Sequence, residues 1–233
     1  MRYAVGMLWQ RIVCGLSGSL LAGSLHAAGL TPEQQQWLES DSLEPPEFQV
    51  NLGELQFLAT PPPRTIPQSD NTFIINNDSL ETGWVTLRQC HVDLDPVPVL
   101  EVVYQYKQMR QLQIVEQQHI DKAAVVGNSV QMEDIRKGNR LCVEARIRIL
   151  YREGDTFKLV NGPYHRRFLD GYYPYHVSFH VRYPSATLEL IATQPKPQPG
   201  FKVDRSPGRI DIDAWFEGKL MTEMIFRKRP GSH

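Results

Sequence analysis

Over most of the chain, apolar and polar residues alternate one by one. In "YHVSFHVRY", Tyr175, Val177, Phe179, Val181 and Tyr183 fall on one side, and His176, Ser178, His180 and Arg182 on the other. This period of two is that of a half-buried β-strand. "RLCVEARIRIL" repeats it with Val143, Ala145, Ile147 and Ile149, and "RIDIDAWF" with Ile210, Ile212, Ala214 and Phe216. Similar runs predict strands at 84–94, 99–106, 111–116, 123–126, 129–134, 155–160 and 187–192, most of them separated by Gly, Pro or Asn. Short strands at this spacing, with no long helical window, predict an all-β antiparallel sandwich.

"CHVDLDPVPVLEVV" and "FHVRYPSATLELIA" share a His-Val step, a proline turn and a Leu-Glu strand. The echo predicts two tandem immunoglobulin-like modules, at 71–161 and 162–229, with a disordered tail at 230–233. Before them, "TPEQQQWLES" has a helix start, with Thr31 as cap, Pro32 in the first turn and Gln34 three positions on. "TPPPRTIPQSD" is too rich in proline for a helix or a central strand. Residues 29–70 are therefore expected to be a short helix followed by a Pro-rich segment.

The first 28 residues read as a secretory signal: Arg2 and Arg11 precede an apolar run from Ile12 to Leu25, and small residues at Ala27 and Ala28 suit cleavage. The run is shorter than the roughly 20 residues that span a bilayer. The expectation is an exported, periplasmic protein of a Gram-negative bacterium, with no integral membrane span after cleavage. Cys90 and Cys142 are then the mature chain's only cysteines and are expected to form a disulfide. Cys142 lies in the polar phase of its strand, and Cys90 lies out of phase with Val85 and Leu87. The bridge is expected between neighbouring strands, or a strand and a covering loop, rather than through the core.

Lys and Arg total 25 against 26 Asp and Glu, a net charge of −1 that offers no field to attract nucleic acid. No GxSxG, GxGxxG, phosphate-loop or CxxC motif is present, and no cofactor is expected. The densest chemistry lies between Gly162 and Pro184, in "GPYHRRFLDGYYPYHVSFHVRYP". Tyr and Arg are enriched where proteins bind proteins. Tyr164, Arg166, Arg167, Tyr172, Tyr173 and Tyr175 are therefore the candidate binding surface for a protein or peptide partner in the cell envelope, and the chain reads more as a noncatalytic module than as an enzyme.

Two alternatives belong to other classes. His165, His176 and His180 are candidate metal ligands, with His91 and Asp170 as further donors. Histidines four apart on a strand, however, stand roughly 13 Å from each other. The pairs Asp93/Asp95 and Asp211/Asp213 each share a strand face and, with Trp84 and Trp215, define a carbohydrate-binding or carbohydrate-active alternative.

Overall fold

The computed structural model describes residues 2–4, 51–168 and 170–230. The helix expected after Thr31, the expected signal segment beyond Ala4 and most of the expected tail lie outside the described residues. No helix among them is long and apolar enough to cross a membrane.

The described chain is an all-β sandwich. Its larger sheet holds β1 (Arg2–Ala4), β2 (Gln56–Phe57), β3 (Gln68–Ile74), β4 (Trp84–Val92), β5 (Val99–Val103), β6 (Met109–Val126), β7 (Ser129–Arg148), β12 (Tyr175–Arg182), β14 (Phe201–Ser206) and β15 (Arg209–Glu217). The smaller sheet holds β8 (Leu150–Glu153), β9 (Thr156–Tyr164), β13 (Leu188–Gln194) and β16 (Leu220–Lys228). A separate two-stranded ribbon pairs β10 (Arg166–Arg167) with β11 (Tyr172–Tyr173). One helical turn, α1 (Asn77–Thr82), is capped by Asn76 and closed by Gly83 at φ 76°. A Cβ at Gly83 would stand 2.7 Å from the Leu150 carbonyl oxygen, so the turn requires glycine both for its backbone and for its space.

The alternation read from the sequence builds the main core. Val177, Phe179 and Val181 of β12, Ile210, Ile212 and Ala214 of β15 and Val85 and Leu87 of β4 meet Leu159 of β9 and Met224 and Phe226 of β16, all of them buried. A second cluster, with Leu100, Val102, Val130, Met132 and Leu141, lines β5 and β7.

Three expectations need correction. The boundary placed between 161 and 162 falls inside β9. In addition, β3 pairs in parallel with β12, so strands from both sides of that boundary share one sheet and one core. Residues 51–230 thus form one unit rather than two modules. The short strands expected at 111–116, 123–126 and 129–134 are parts of one long hairpin, β6 and β7. Register shifts between Arg110 and Gln113, Ile114 and Glu116, and Gln118 and Ile120 reset the alternation, so one strand reads as fragments. The Pro-rich segment ends sooner than expected, because β3 already begins at Gln68.

Cys90 and Cys142 form a disulfide between directly opposed residues of the neighbouring strands β4 and β7, with Cα atoms 4.0 Å apart. Closing a loop of 52 positions stabilises by about 4 kcal/mol on the chain-entropy model.

Candidate functional site

The stretch that begins at Gly162 divides into an inner and an outer part. Gly162 itself takes φ 120°, and a Cβ there would lie 2.6 Å from the Leu220 carbonyl oxygen, which keeps β9 close against β16. Tyr164, Tyr172 and Tyr175 are buried, and so is Arg166. Tyr164 stacks edge-on against Phe179, and Tyr175 packs on Phe216. Of the six residues expected to form a surface, Arg167 and Tyr173 are the two that reach solvent.

Arg166 organises the corner around them. Its Nε donates to Asp95 Oδ2 at 3.2 Å and its Nη2 to Asp95 Oδ1 at 2.7 Å, a two-point pair between the ribbon and the loop that joins β4 to β5. The same guanidinium lies 4.8 Å from the centroid of the Phe168 ring and 5.5 Å from that of Tyr173. Phe168 and Tyr173 meet edge to face at 5.2 Å. The Tyr173 hydroxyl donates to the Asp170 carboxylate, and this bond, with some burial, raises its pKa above the ordinary tyrosine value.

The loop carrying Asp95 is itself fixed by a buried asparagine. Asn139 Oδ1 accepts from the Leu94 backbone N–H at 2.9 Å, while its Nδ2 donates to the Leu94 and Arg136 carbonyls at 2.8 Å each. Beside this loop opens a cleft of about 410 Å³, lined by Arg64 to Pro67, Asp93 to Pro96, Lys137, Gly138 and Arg166. Three cations and two carboxylates line it, and one carboxylate is held by Arg166. Such a cleft suits a ligand of mixed polarity rather than a purely apolar one.

The candidate metal ligands do not converge. His165 is buried against the Tyr172 ring, 5.7 Å between centroids, and His91 is fully buried. His176 Nε2 lies 2.6 Å from Asp213 Oδ1, and its ring stacks on Trp215 at 3.8 Å. His180 Nδ1 lies 2.6 Å from Asp211 Oδ1, and its Nε2 lies 3.6 Å from Asp70. His176 and His180 therefore meet different carboxylates across the sheet. The hydrogen bond with His176 holds the Asp213 carboxyl below the usual carboxylate range. At Asp211, burial pulls upward, and bonds from Arg209 and His180 outweigh it, so the net shift is also down. Ser178 Oγ approaches Asp213 at 3.5 Å, and no contact joins it to His176, so the pattern lacks the nucleophile-to-base step of a triad.

Cys90, Cys142 and Glu116 place their sulfur and oxygen atoms within 4.8 Å of one another. The sulfurs are bonded together and Glu116 is paired with Arg140 at 2.9 Å, so the thiolates a metal would need are consumed. Three of the four carboxylates proposed for sugar chemistry are likewise engaged: Asp95 holds Arg166, and Asp211 and Asp213 hold their histidines, while Asp93 lines the cleft. Trp84 is covered by Arg110 at 4.2 Å.

Sequence reasoning missed Arg64 and Lys137, and did not join Asp95 to Arg166. It also missed a buried polar network centred on Asn71. Asn71 Oδ1 accepts from Gln89 Nε2 at 2.5 Å and from the Tyr164 hydroxyl at 3.1 Å, and Asn71 Nδ2 donates to the Ser178 carbonyl at 3.0 Å. Asn161 donates to Tyr164 at 2.7 Å and accepts from Tyr106 at 3.2 Å. The signal was present in β3 and β4, where Ser69, Asn71, Gln89 and His91 occupy the inward phase that Phe73, Val85 and Leu87 also occupy.

No protein-family model matches the chain, and no curated protein is significantly similar to it.

Proposed function

We propose that the protein is an exported, periplasmic module that binds a protein or peptide partner in the cell envelope without catalysing a reaction. The contact surface is the corner formed by Arg64, Lys137 and Tyr173 around the Arg166–Asp95 pair, with Arg167 on the same ribbon in the alternate phase, over the Tyr172 ring. The observation that carries this reading is the pairing of a preformed cleft with an adjacent aromatic and guanidinium stack. Rigid side chains that combine a broad apolar body with a polar tip make strong contacts at little entropic cost. The histidines and carboxylates of the outer sheet face support the reading from the other side, since each is already engaged by a neighbour.

A photo-crosslinking residue placed at Tyr173 tests it in living cells. The expected result is a discrete adduct in the periplasmic fraction that is lost when Arg64→Glu is added. A control position at Lys202, on β14, gives none. Equal adducts at both positions, or a protein confined to the cytoplasm, would reject the proposal.

A further inference from the structure

The sheet edges of this protein are not equally defended. An open edge invites another strand, and proteins blunt it with charge, proline, bulges or shortness. β6 carries three register shifts and the charged residues Arg110, Glu116, Asp121 and Lys122. β14 carries Lys202, Asp204 and Arg205; β13 has a shift between Leu190 and Ala192; and β8 is four residues long. β5 is less defended: it has no register shift and a single charged residue, Glu101. Its sequence is Val-Leu-Glu-Val-Val, its pairing with β7 is regular, and Val99 is exposed.

The hydrogen-bond phase of β5 shows which groups face outward. The Asp134 N–H donates to the Pro98 carbonyl and the Tyr104 N–H to the Asn128 carbonyl. With the antiparallel register, Pro98, Leu100, Val102 and Tyr104 therefore bond toward β7, and the N–H and C=O groups of Val99, Glu101 and Val103 point away from it. In the uncleaved chain β1 lies along this side, with Arg2 opposite Val103 and Ala4 opposite Glu101. β1 also lies against β10, so an occupant of this edge passes beside Arg167 and the corner described above.

We propose that the β5 edge is a strand-acceptor site. Residues 2–4 cover it until the leader leaves, and an extended segment of a partner protein then adds to it as an antiparallel strand. This deepens the peptide-binding reading and rests on it. The favoured partner segment carries a small or basic residue opposite Glu101. The Glu101 carboxylate is held on the sheet face by the Ser129 hydroxyl at 2.6 Å, and an opposite charge across the strand is stabilising. A second copy fits less well, because the symmetric register that pairs all five residues sets Glu101 against Glu101.

The test uses the full chain and a synthetic peptide of residues 1–6, Met-Arg-Tyr-Ala-Val-Gly. Ala4→Pro withdraws the N–H that β1 offers to Glu101. Amide exchange followed by NMR is expected to accelerate at least about tenfold at Glu101 and Val103 in this variant, while Leu100 and Val102 stay protected. Millimolar peptide restores the protection. A peptide bearing Ala4→Lys is expected to bind several-fold more tightly than one bearing Ala4→Glu. In the protein, Glu101→Pro removes an outward N–H and the carboxylate that Ser129 holds, but no backbone bond to β7, so Leu100 and Val102 remain protected while peptide binding is lost.

Equal exchange at Glu101 and Val103 with and without Ala4→Pro would overturn the proposal, as would peptide binding that survives Glu101→Pro. Protection that rises with protein concentration alone would assign the edge to a second copy and overturn it as well. A Tyr173 adduct that persists in Glu101→Pro would leave the corner as the binding surface and remove strand addition. Peptide binding without any Tyr173 adduct would do the reverse.

Discussion

Two polar clusters lie on opposite faces of the large sheet, and their histidines live in opposite worlds. On the outer face, His176 and His180 sit beside Asp213 and Asp211 in reach of water. On the inner face, His91 is wholly buried near Tyr104, and that burial lowers its pKa to about 3. A charged imidazole is tolerated outside because a carboxylate faces it. Inside, among the described residues, no carboxylate pairs with it, so the ring stays neutral, with its Nε2 3.5 Å from the Tyr104 hydroxyl. Similar residues thus give a screened surface ladder on one face and a fold-specifying interior on the other, and desolvation decides which.

The sharpest way to break this contrast is Asn71→Leu. It removes the acceptor for Gln89 and Tyr164 and the donor to Ser178, leaving buried polar groups without partners. We expect a loss of about 3 kcal/mol in urea unfolding.

The next is the pH dependence of stability. The folded-state value of His91, about 3, lies below its ordinary 6.5, so the unfolded chain takes up the proton first as pH falls. The His91 contribution is therefore complete above pH 6.5 and is lost progressively down to about 3. Between pH 7 and 5 the protein should lose about 2 kcal/mol, and His91→Phe should flatten that slope. A slope unchanged by the substitution would show that burial does not hold His91 neutral in the folded protein.

The smallest effect belongs to the outer ladder. Asp213 has a lowered pKa, so its contribution is present above 3.8 and disappears only as pH falls below that value. Because the pair is partly exposed, Asp213→Asn should cost less than about 1 kcal/mol at pH 7 and should fade with salt.

The alternation of β12, β15 and the second half of β7 was legible because each of these strands puts a dry face on the core and a wet face on solvent. Where both faces carry polar residues, the period disappears. Ser69 and Asn71 face inward, so β3 reads as the end of a loop. The bulges of β6 hide a strand of 18 residues for a different reason, since each extra residue swaps the two faces. At the candidate site, the sequence misjudged the exposure of Tyr164, Arg166, Tyr172 and Tyr175. Tyrosine serves equally in cores and at contacts, and only the third dimension separates Tyr164 and Tyr175 from Tyr173. The partnership of Arg166 with Asp95 spans 71 positions, and local pattern carries no trace of it.

The parallel pairing of β3 with β12 constrains how the molecule comes into being. Asn71 and Ser178, bonded at the middle of the large sheet, are separated by 107 residues, so this seam cannot close while the polypeptide is still short. Joining ends so distant is entropically costly and slows the search for the native arrangement. Until the later residues emerge, the earlier strands lack their central neighbour, and the large sheet stays incomplete.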